Sequence, residues 1–269
     1  MVRLFKRSYK GVKMNISAYL KRLNIDIRAK NDFDTLRQLH RAHAFTIPFE
    51  NFNVRLKRPI PLDKESLFKK LILDNRGGYC YELNTLFSLL LQELGFEVTH
   101  LIGRPLYGYN NALRPKTHMV LKVTTQGKEY LCDLGFGGKG LIEPIELTCD
   151  KENEQFGDLF KLVPHIEGFE LQCKLHNNWV SLYSFDLRPQ DLIDYELANF
   201  FNMHSPDSRF TRQTICAMPT AKGRLLLLDR TFKHPGSDTL DGIQDNDYDK
   251  ILKKYFDISS ICANELFDD

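Results

Sequence analysis

The chain has 269 residues, 42% hydrophobic and 27% charged, which is the composition of a globular protein long enough for two or three small domains. Its net charge of +2 at pH 7 gives no basic excess of the kind that binds nucleic acid or an anionic membrane. No apolar run approaches the roughly 18 residues of a membrane-spanning helix, and the basic residues 1–13 lack the apolar core of a secretory signal. We therefore expect a cytoplasmic protein without nucleic-acid or membrane partners.

The cysteines are scattered along the chain and form no CxxC pair. They are Cys80, Cys132, Cys149, Cys173, Cys216 and Cys262. This spacing favours free thiols in a reducing compartment over a disulfide framework. A structural zinc site needs close pairs of ligands, which this spacing does not offer, so we expect no bound metal.

The first 95 residues show helical patterns after a short basic start. Residues 1–13 carry five Lys or Arg residues without clear periodicity, so we predict a loose extension there. Capping residues then predict helix starts at Asn15 or Ser17, at Asp34 and at Asp63. Residues 14–95 are therefore predicted to form a helical bundle.

Cys80 stands at the start of the most strongly patterned helix. Apolar residues follow it with the spacing of one helix face, at Leu83, Leu86, Phe87, Leu90, Leu91 and Leu94. Gly95 comes next, as a helix stop should, and Gly77 and Gly78 free the backbone before the cysteine. Unpaired N–H groups and the helix dipole favour a thiolate at such a position, which indicates a nucleophile. On this segment alone, a buried structural cysteine remains the alternative.

From residue 96 the hydrophobic period changes to two, which predicts strands. Short strands fit residues 96–102, 160–163, 170–175 and 179–185. Residues 96–200 are therefore predicted to form a β-barrel, in which residues 191–202 fit either a helix or an extended linker. A further hairpin around Gly223 and a final amphipathic helix predict an α/β unit over residues 201–269.

A β-hairpin is predicted over residues 118–134, with Gln126-Gly127 as its two-residue loop. This loop sets a register in which one face is wholly apolar, with Met119, Leu121 and Val123 opposite Leu134, Cys132 and Tyr130. On the other face, His118 becomes the diagonal neighbour of Asp133, close enough for their side chains to meet. A slip of one residue would separate the two and spoil the apolar face.

A thiolate nucleophile needs a base that forms it and a group that orients the base. Cys80, His118 and Asp133 supply these roles in the order seen in thiol hydrolases and acyltransferases. Taken singly, His118 reads as a surface strand residue and Asp133 as a turn former before glycine, but their shared face favours a catalytic triad. Most other histidines, including His40 and His43, have no acidic partner that the pattern places.

The sequence around these residues resembles a known family. The segment RGGYCYELN at residues 76–84 resembles the signature of the arylamine N-acetyltransferases, and IPFEN at residues 47–51 resembles their segment upstream. Residues 117–118 and 133–137 are similar to their second and third active-site segments, and residues 199–210 to the start of their third domain. One departure is Met203-His204, where the family usually has small hydroxyl residues, which bears on contacts with the coenzyme.

This resemblance implies an α+β fold with an N-terminal helical bundle, a central β-barrel and a C-terminal α/β lid, around a catalytic core like that of cysteine proteases and transglutaminases. It also implies acetyl transfer from acetyl-coenzyme A to an arylamine, arylhydroxylamine or arylhydrazine. In this ping-pong cycle Cys80 takes the acetyl group before the amine attacks, and no metal takes part. The resemblance leaves the preferred amine, the acyl-chain length and the oligomeric state open.

The resemblance further implies roles for residues beyond the triad. Phe49 and Phe136 are expected to line an apolar slot for the aromatic amine. Thr117, Gly137 and Phe201 are expected to lie near the coenzyme. Arg76 and Glu50 are expected to form a buried structural ion pair.

Three alternatives remain at this stage. A cysteine protease or transglutaminase-like hydrolase would use the same triad, and a macrolactam-forming amide synthase belongs to the same family. A binding module that holds coenzyme A or an aromatic ligand would need no triad. Mass spectrometry of Cys80 after incubation with acetyl-coenzyme A separates the transferase from the hydrolase.

Overall fold

A computed structural model describes residues 14–28, 30–109 and 113–267. The loose extension predicted for residues 1–13 lies outside these ranges. Within them the chain is a mixed helix and sheet protein in which helices come first, a large antiparallel sheet follows, and a smaller sheet with further helices ends the chain.

The N-terminal helices are α1 (Ile16–Arg22), α2 (Phe33–Thr46), α3 (Phe52–Arg55), α4 (Lys64–Phe68) and α5 (Cys80–Glu93). Helix α4 continues as a π-helical turn, Lys69–Leu73. The caps predicted at Asn15 and Asp63 are confirmed, because their side chains accept hydrogen bonds from Ala18 N–H and Ser66 N–H. The predicted cap of α2 is wrong: Asp32 accepts the Thr35 N–H, while Asp34 lies in the first turn, where the helix dipole also favours a carboxylate.

Helix α5 is buried along most of its length and forms the centre of the N-terminal core. The side chains of Leu83, Leu86, Phe87, Leu90 and Leu91 are all 0% exposed. The helix stop predicted at Gly95 is confirmed, since this residue has a φ of +85° and the following N–H, of Phe96, donates to Leu91 O at 3.0 Å. This packing fixes the helix that begins at Cys80.

Within the described residues, eight strands form one antiparallel sheet in the order β5-β4-β3-β2-β9-β8-β7-β6. They are β2 (Glu97–Pro105), β3 (His118–Thr125), β4 (Lys128–Cys132), β5 (Ile145–Glu146), β6 (Asn153–Gln155), β7 (Asp158–His165), β8 (Gly168–Leu175) and β9 (Asn178–Phe185). The sheet curls until Cys149, just beyond one edge, forms a parallel bridge with Leu162 near the other. The result is a nearly closed, barrel-like sheet.

The register predicted for the hairpin is confirmed. Thr125 pairs with Lys128, and the ladder runs from there to Leu121 opposite Cys132. Both faces of β3 are buried, because Met119 and Leu121 pack against the helices while Val120 belongs to the interior of the curled sheet. A strand buried on both faces has a strongly specified register.

A second sheet of the described chain joins the N-terminal and C-terminal segments, in the order β1-β10-β11-β12. Its strands are β1 (Phe49–Glu50), β10 (Ile215–Thr220), β11 (Gly223–Leu228) and β12 (Thr231–Lys233), and the C-terminal helices are α6 (Tyr195–His204), α7 (Asp245–Phe256) and α8 (Ala263–Phe267). Of the two structures that fit residues 191–202, the helix is the one formed. Helix α6 runs through the domain boundary predicted between residues 200 and 201. The division of the chain into domains at 14–95, 96–200 and 201–269 stays a prediction.

Candidate active site

The two glycines before Cys80 are required because this segment lies close to the chain at Pro48 on one side and to the Glu82 side chain of α5 on the other. A Cβ on Gly77 would lie 2.1 Å from Pro48 O, and one on Gly78 would lie 2.8 Å from the Glu82 side chain. Gly78 N–H donates to Pro48 O at 3.2 Å, so the backbone pairs where a side chain would collide. Cys80 follows as the first residue of α5 and is only 3% exposed.

Buried ion pairs hold the segment before Cys80. Arg76 donates to Glu50 at 2.7 Å, and Lys70 donates to Glu82 at 2.7 Å and lies 3.5 Å from Glu50. Burial disfavours the Glu50 carboxylate, but Arg76 and Lys70 outweigh it and hold the pKa of Glu50 below its usual range. Glu82 also accepts the Tyr79 N–H at 3.1 Å, which caps the helix that begins at Cys80.

His118 and Asp133 meet where the sequence places them, at the end of the β3–β4 hairpin. The His118 Nε2 atom lies 2.8 Å from Asp133 Oδ2, and the two residues are 4% and 0% exposed. Burial opposes a charged imidazole, but the Asp133 carboxylate outweighs it and, with a hydrogen bond to Cys80, raises the pKa of His118 to about 10. Burial also opposes the carboxylate, yet His118 holds the pKa of Asp133 below its usual range.

The imidazole of His118 lies between the carboxylate of Asp133 and the thiol of Cys80. Asp133 occupies Nε2 of His118, which leaves Nδ1 as the ring nitrogen available to the Cys80 thiol. The Cys80 Sγ atom also lies 3.9 Å from Thr117 O, a carbonyl that accepts a hydrogen bond from Tyr81 Oη at 2.7 Å. A protonated imidazole between a carboxylate and a sulfur is the arrangement that stabilises a thiolate.

Two residues that support Asp133 were not identified from the sequence. Asn84 donates to Asp133 Oδ1 at 3.1 Å, and its own oxygen accepts the Leu134 N–H at 2.9 Å. His40 accepts the Asp133 backbone N–H on its Nε2 atom at 3.1 Å. The spacing of Asn84 one helical turn after Cys80 was a usable signal, whereas nothing local in the sequence pointed to His40.

The loop after Asp133 packs closely against Cys80. A Cβ on Gly135 would lie 2.3 Å from the Cα atom of Cys80 and 2.7 Å from its Cβ atom, so glycine is required there. Gly137 has a φ of +80°, and a Cβ there would lie 3.2 Å from the ring of Phe49. The loop therefore closes on Cys80 and on the aromatic side chain beside it.

A cavity of about 230 Å³ opens onto Cys80 and His118. It is lined by the residues that the sequence analysis assigned to substrate and coenzyme, namely Phe49, Phe136, Thr117, Gly137 and Phe201. Phe210, Ile215 and Leu226 add apolar lining, and Lys139 and Arg209 add positive charge. Asp133 is buried behind His118 and does not reach the cavity wall.

Comparison with known proteins identifies the family. A family model described as N-acetyltransferase matches residues 32–263. The arylamine N-acetyltransferase of Escherichia coli is 39% identical over 220 residues, which are 81% of this chain and 78% of that protein. This chain belongs to the arylamine N-acetyltransferase family. Human arylamine N-acetyltransferase 1 is 29% identical and covers 91% of this chain and 94% of its own.

Solved arylamine N-acetyltransferases share the fold of this family member. The Salmonella typhimurium enzyme superposes with a TM-score of 0.88 at 32% identity, covering 93% of this chain and 96% of its own. The Mycobacterium marinum enzyme, solved in complex with CoA, superposes with a TM-score of 0.87 at 29% identity, covering 94% and 97%. The chain therefore matches the family in both sequence and fold.

The departure of this chain from the family pattern, Met203-His204, lies at the end of α6. Met203 packs against the N-terminal core, and the His204 ring lies 4.5 Å from the ring of Phe200 on the exposed side of the helix. Neither residue lines the cavity at Cys80. Across residues 14–28, 30–109 and 113–267, no helix is long and apolar enough to cross a membrane, and no His, Cys, Asp or Glu side chains cluster as metal ligands.

Proposed function

We propose that the protein transfers an acetyl group from acetyl-coenzyme A to the nitrogen of an arylamine, arylhydroxylamine or arylhydrazine, through an acetyl-Cys80 intermediate. The observation that carries this proposal is the contact series Cys80–His118–Asp133 at the wall of an apolar cavity, in a member of the arylamine N-acetyltransferase family. The free state of all six cysteines, each within the described residues, supports a reducing, cytoplasmic location.

In the first half-reaction the Cys80 thiolate attacks the thioester carbonyl of acetyl-coenzyme A. The carbon–sulfur bond to the coenzyme breaks, and His118 gives its proton to the departing thiolate, so that free coenzyme A leaves. Backbone N–H groups near Cys80 stabilise the oxyanion that forms on the way. The products are acetyl-Cys80, a neutral His118 and coenzyme A.

In the second half-reaction the amine nitrogen attacks the acetyl carbon of acetyl-Cys80. His118 takes the proton that the nitrogen loses, and the Cys80 thiolate leaves as the acetamide forms. The enzyme returns to its starting state with a charged His118 beside a thiolate. Asp133 stays ionised throughout and stabilises the imidazolium, as the raised pKa of His118 indicates.

The cavity residues divide between the two substrates. Phe49 and Phe136 form an apolar slot that suits an aromatic ring, and the Phe136 ring packs 5.3 Å from that of His118. Thr117, Gly137 and Phe201 lie where the coenzyme approaches Cys80. The C-terminal segment acts as the lid over the helical bundle and barrel, since Asn202 of α6 donates to Thr117 O at 3.3 Å and Phe201 lines the cavity.

The test is mass spectrometry of the intact protein after incubation with acetyl-coenzyme A and without amine. We expect a mass increase of one acetyl group, which peptide mapping places on Cys80. The variant Cys80→Ala should gain nothing, whereas Cys262→Ser, which changes an exposed cysteine, should be acetylated like the wild type. Acetylation of Cys80→Ala at the wild-type rate would show that another residue is the acceptor.

A further inference from the structure

Two histidines on one face of α2 are buried to the same extent but contact different parts of the protein. His40 and His43 are both 0% exposed, and each packs edge-on against Phe87 with ring centres 5.6 Å apart. His43 Nδ1 shares a hydrogen bond of 2.8 Å with Tyr19 Oη, between two N-terminal helices. His40 instead contacts the loop of the active site.

His40 bonds to both ends of that loop. Its Nε2 atom accepts the Asp133 backbone N–H at 3.1 Å, and its Nδ1 atom lies 2.9 Å from the carbonyl oxygen of Ile142. Residues 134–141 between these ends carry Gly135, which packs on Cys80, and Phe136, which lines the cavity. One side chain therefore holds the start and the end of the loop that faces the nucleophile.

The contacts fix the protonation state of His40. An Nε2 atom that accepts an N–H must be unprotonated, so the proton is on Nδ1 and is donated to Ile142 O. Burial lowers the pKa of His40 to about 4, which keeps the ring in this neutral form near neutral pH. His40 thus provides one acceptor and one donor, as the two loop ends require.

The main-chain N–H of Asp133 has no partner in the β3–β4 strand pairing, and His40 accepts it instead. Strand β4 ends at Cys132, whose partner is Leu121, so the next N–H, that of Asp133, falls outside the ladder. A buried backbone N–H without a partner costs about 1–3 kcal/mol. Asn84 and the Gly135 N–H hold the Asp133 carboxylate, but among the described contacts the main-chain N–H is held by His40.

We infer that His40 is a positioning residue of the active site, which places the main chain of Asp133 and thereby aims its carboxylate at His118. The inference rests on the proposed function, in which Asp133 orients His118. His40 acts through the loop ends that it holds, Asp133 above all, because its own side chain does not line the cavity. Loss of the bond to Asp133 weakens the contact that keeps His118 protonated and Cys80 reactive.

The hydrogen bonds of the two ring nitrogens of His40 can be removed separately. In His40→Asn the side-chain amide reaches the place of Nδ1 but not that of Nε2, so the bond to Asp133 is lost. In His40→Gln the amide reaches the place of Nε2, and its oxygen can still accept the Asp133 N–H. The variant His43→Asn is the matched control, since it removes an equally buried ring that also packs on Phe87.

The readout is the rate of alkylation of Cys80 by iodoacetamide as a function of pH, with urea unfolding measured on the same samples. For His40→Asn we expect the pH of half-maximal alkylation to rise by about one unit, which slows the reaction about tenfold below neutral pH. His40→Gln should stay close to the wild type. His43→Asn should lose stability but keep the wild-type alkylation profile, and a His40→Asn profile that coincides with it would overturn the inference.

A second measurement needs no variant and applies even if His40→Asn does not fold. Nitrogen-15 NMR of the wild-type imidazoles should show His40 with a protonated Nδ1 and a bare Nε2 at neutral pH, and a protonated Nε2 would overturn the inference. Acetylation of wild-type Cys80 by acetyl-coenzyme A is followed in parallel. If wild-type Cys80 is not acetylated, the proposed function is contradicted. The positioning role is tested separately, by the difference between the Cys80 alkylation profiles of the His40 and His43 variants.

Discussion

Asn84 donates a hydrogen bond to Oδ1 of Asp133 at 3.1 Å, and it lies one helical turn after Cys80 on α5. Its amide nitrogen also donates to Met119 O at 2.7 Å, and its oxygen accepts the Leu134 N–H at 2.9 Å. One helix therefore carries both Cys80, the proposed nucleophile, and the residue that holds the Asp133 carboxylate beside His118.

We expect Asn84→Leu to destabilise the protein and to slow the alkylation of Cys80. The leucine leaves Met119 O and the Leu134 N–H without their partner, and each buried group left unpaired costs about 1–3 kcal/mol. Urea unfolding and iodoacetamide kinetics measure the two effects. The control is Ser88→Ala, one turn further along α5, whose hydroxyl bonds to Thr85 O and to His100 Nε2 and makes no hydrogen bond to Asp133. Equal alkylation rates in the two variants would contradict the role given to Asn84.

We expect Asp133→Asn to slow the alkylation of Cys80 below neutral pH by orders of magnitude and to move its pH profile upward. The substitution keeps the shape but removes the charge that raises the pKa of His118, so the imidazole loses its proton more easily. Asp133 also accepts the Gly135 N–H at 2.8 Å, so part of its role is to shape the turn. If that were its whole role, the folded variant would lose stability and keep the wild-type alkylation profile.

We expect Gly135→Ala to inactivate the enzyme through steric conflict rather than through chemistry. The added methyl group would lie 2.3 Å from the Cα atom of Cys80, so either the loop or α5 must move. Overpacking of this kind costs about 1–3 kcal/mol. Gly138→Ala is the control in the same loop, because its nearest neighbour would be a Leu226 methyl at 3.8 Å. Thermal unfolding should separate the two variants, and equal stabilities would be inconsistent with the packing described.

The hairpin shows how much of this site follows from sequence. A two-residue loop and one apolar face were enough to predict the pairing of Leu121 with Cys132, and with it the approach of His118 to Asp133. The period of a strand and the length of a turn are local properties, so they are visible in the chain. The helix stop at Gly95 could be predicted for the same reason.

The residues that sequence reasoning missed act over long separations. His40 reaches Asp133 across 93 positions, and it does so as a neutral ring, which a search for acidic partners of histidines cannot find. The cap of α2 was placed at Asp34 instead of Asp32, since both residue types suit a helix start and only the backbone geometry selects one. The closure of the sheet at Cys149 and Leu162 likewise depends on tertiary packing.

We expect the free energy of unfolding to fall as the pH drops from about 6.5 towards 4. Burial lowers the pKa of His40 and of His100 to about 4, and it also lowers the pKa of His43 well below its usual value. The unfolded chain, with histidine pKa values of about 6.5, therefore binds protons that the folded chain does not. The pKa of His118 is raised, so its stabilising contribution is complete below about pH 6.5 and is lost as the pH rises towards 10.

Urea unfolding across this pH range measures the dependence, and each buried histidine contributes a slope of up to about 1.4 kcal/mol per pH unit. His100→Gln should make the acid side of the curve shallower by about one such contribution. A free energy of unfolding that stays constant between pH 6.5 and 5 would show that the buried histidines do not remain neutral.

The most direct test of the account is a single-turnover experiment on acetyl-Cys80. The enzyme is incubated with acetyl-coenzyme A, separated from all free coenzyme, and then mixed with an arylamine such as an aniline. If the two half-reactions proceed through Cys80, one acetylated amine forms for each acetyl-enzyme, and mass spectrometry shows Cys80 returning to its free thiol at the same rate. Formation of the acetylated amine only when acetyl-coenzyme A is added back, with the acetyl group retained on Cys80, would contradict the account.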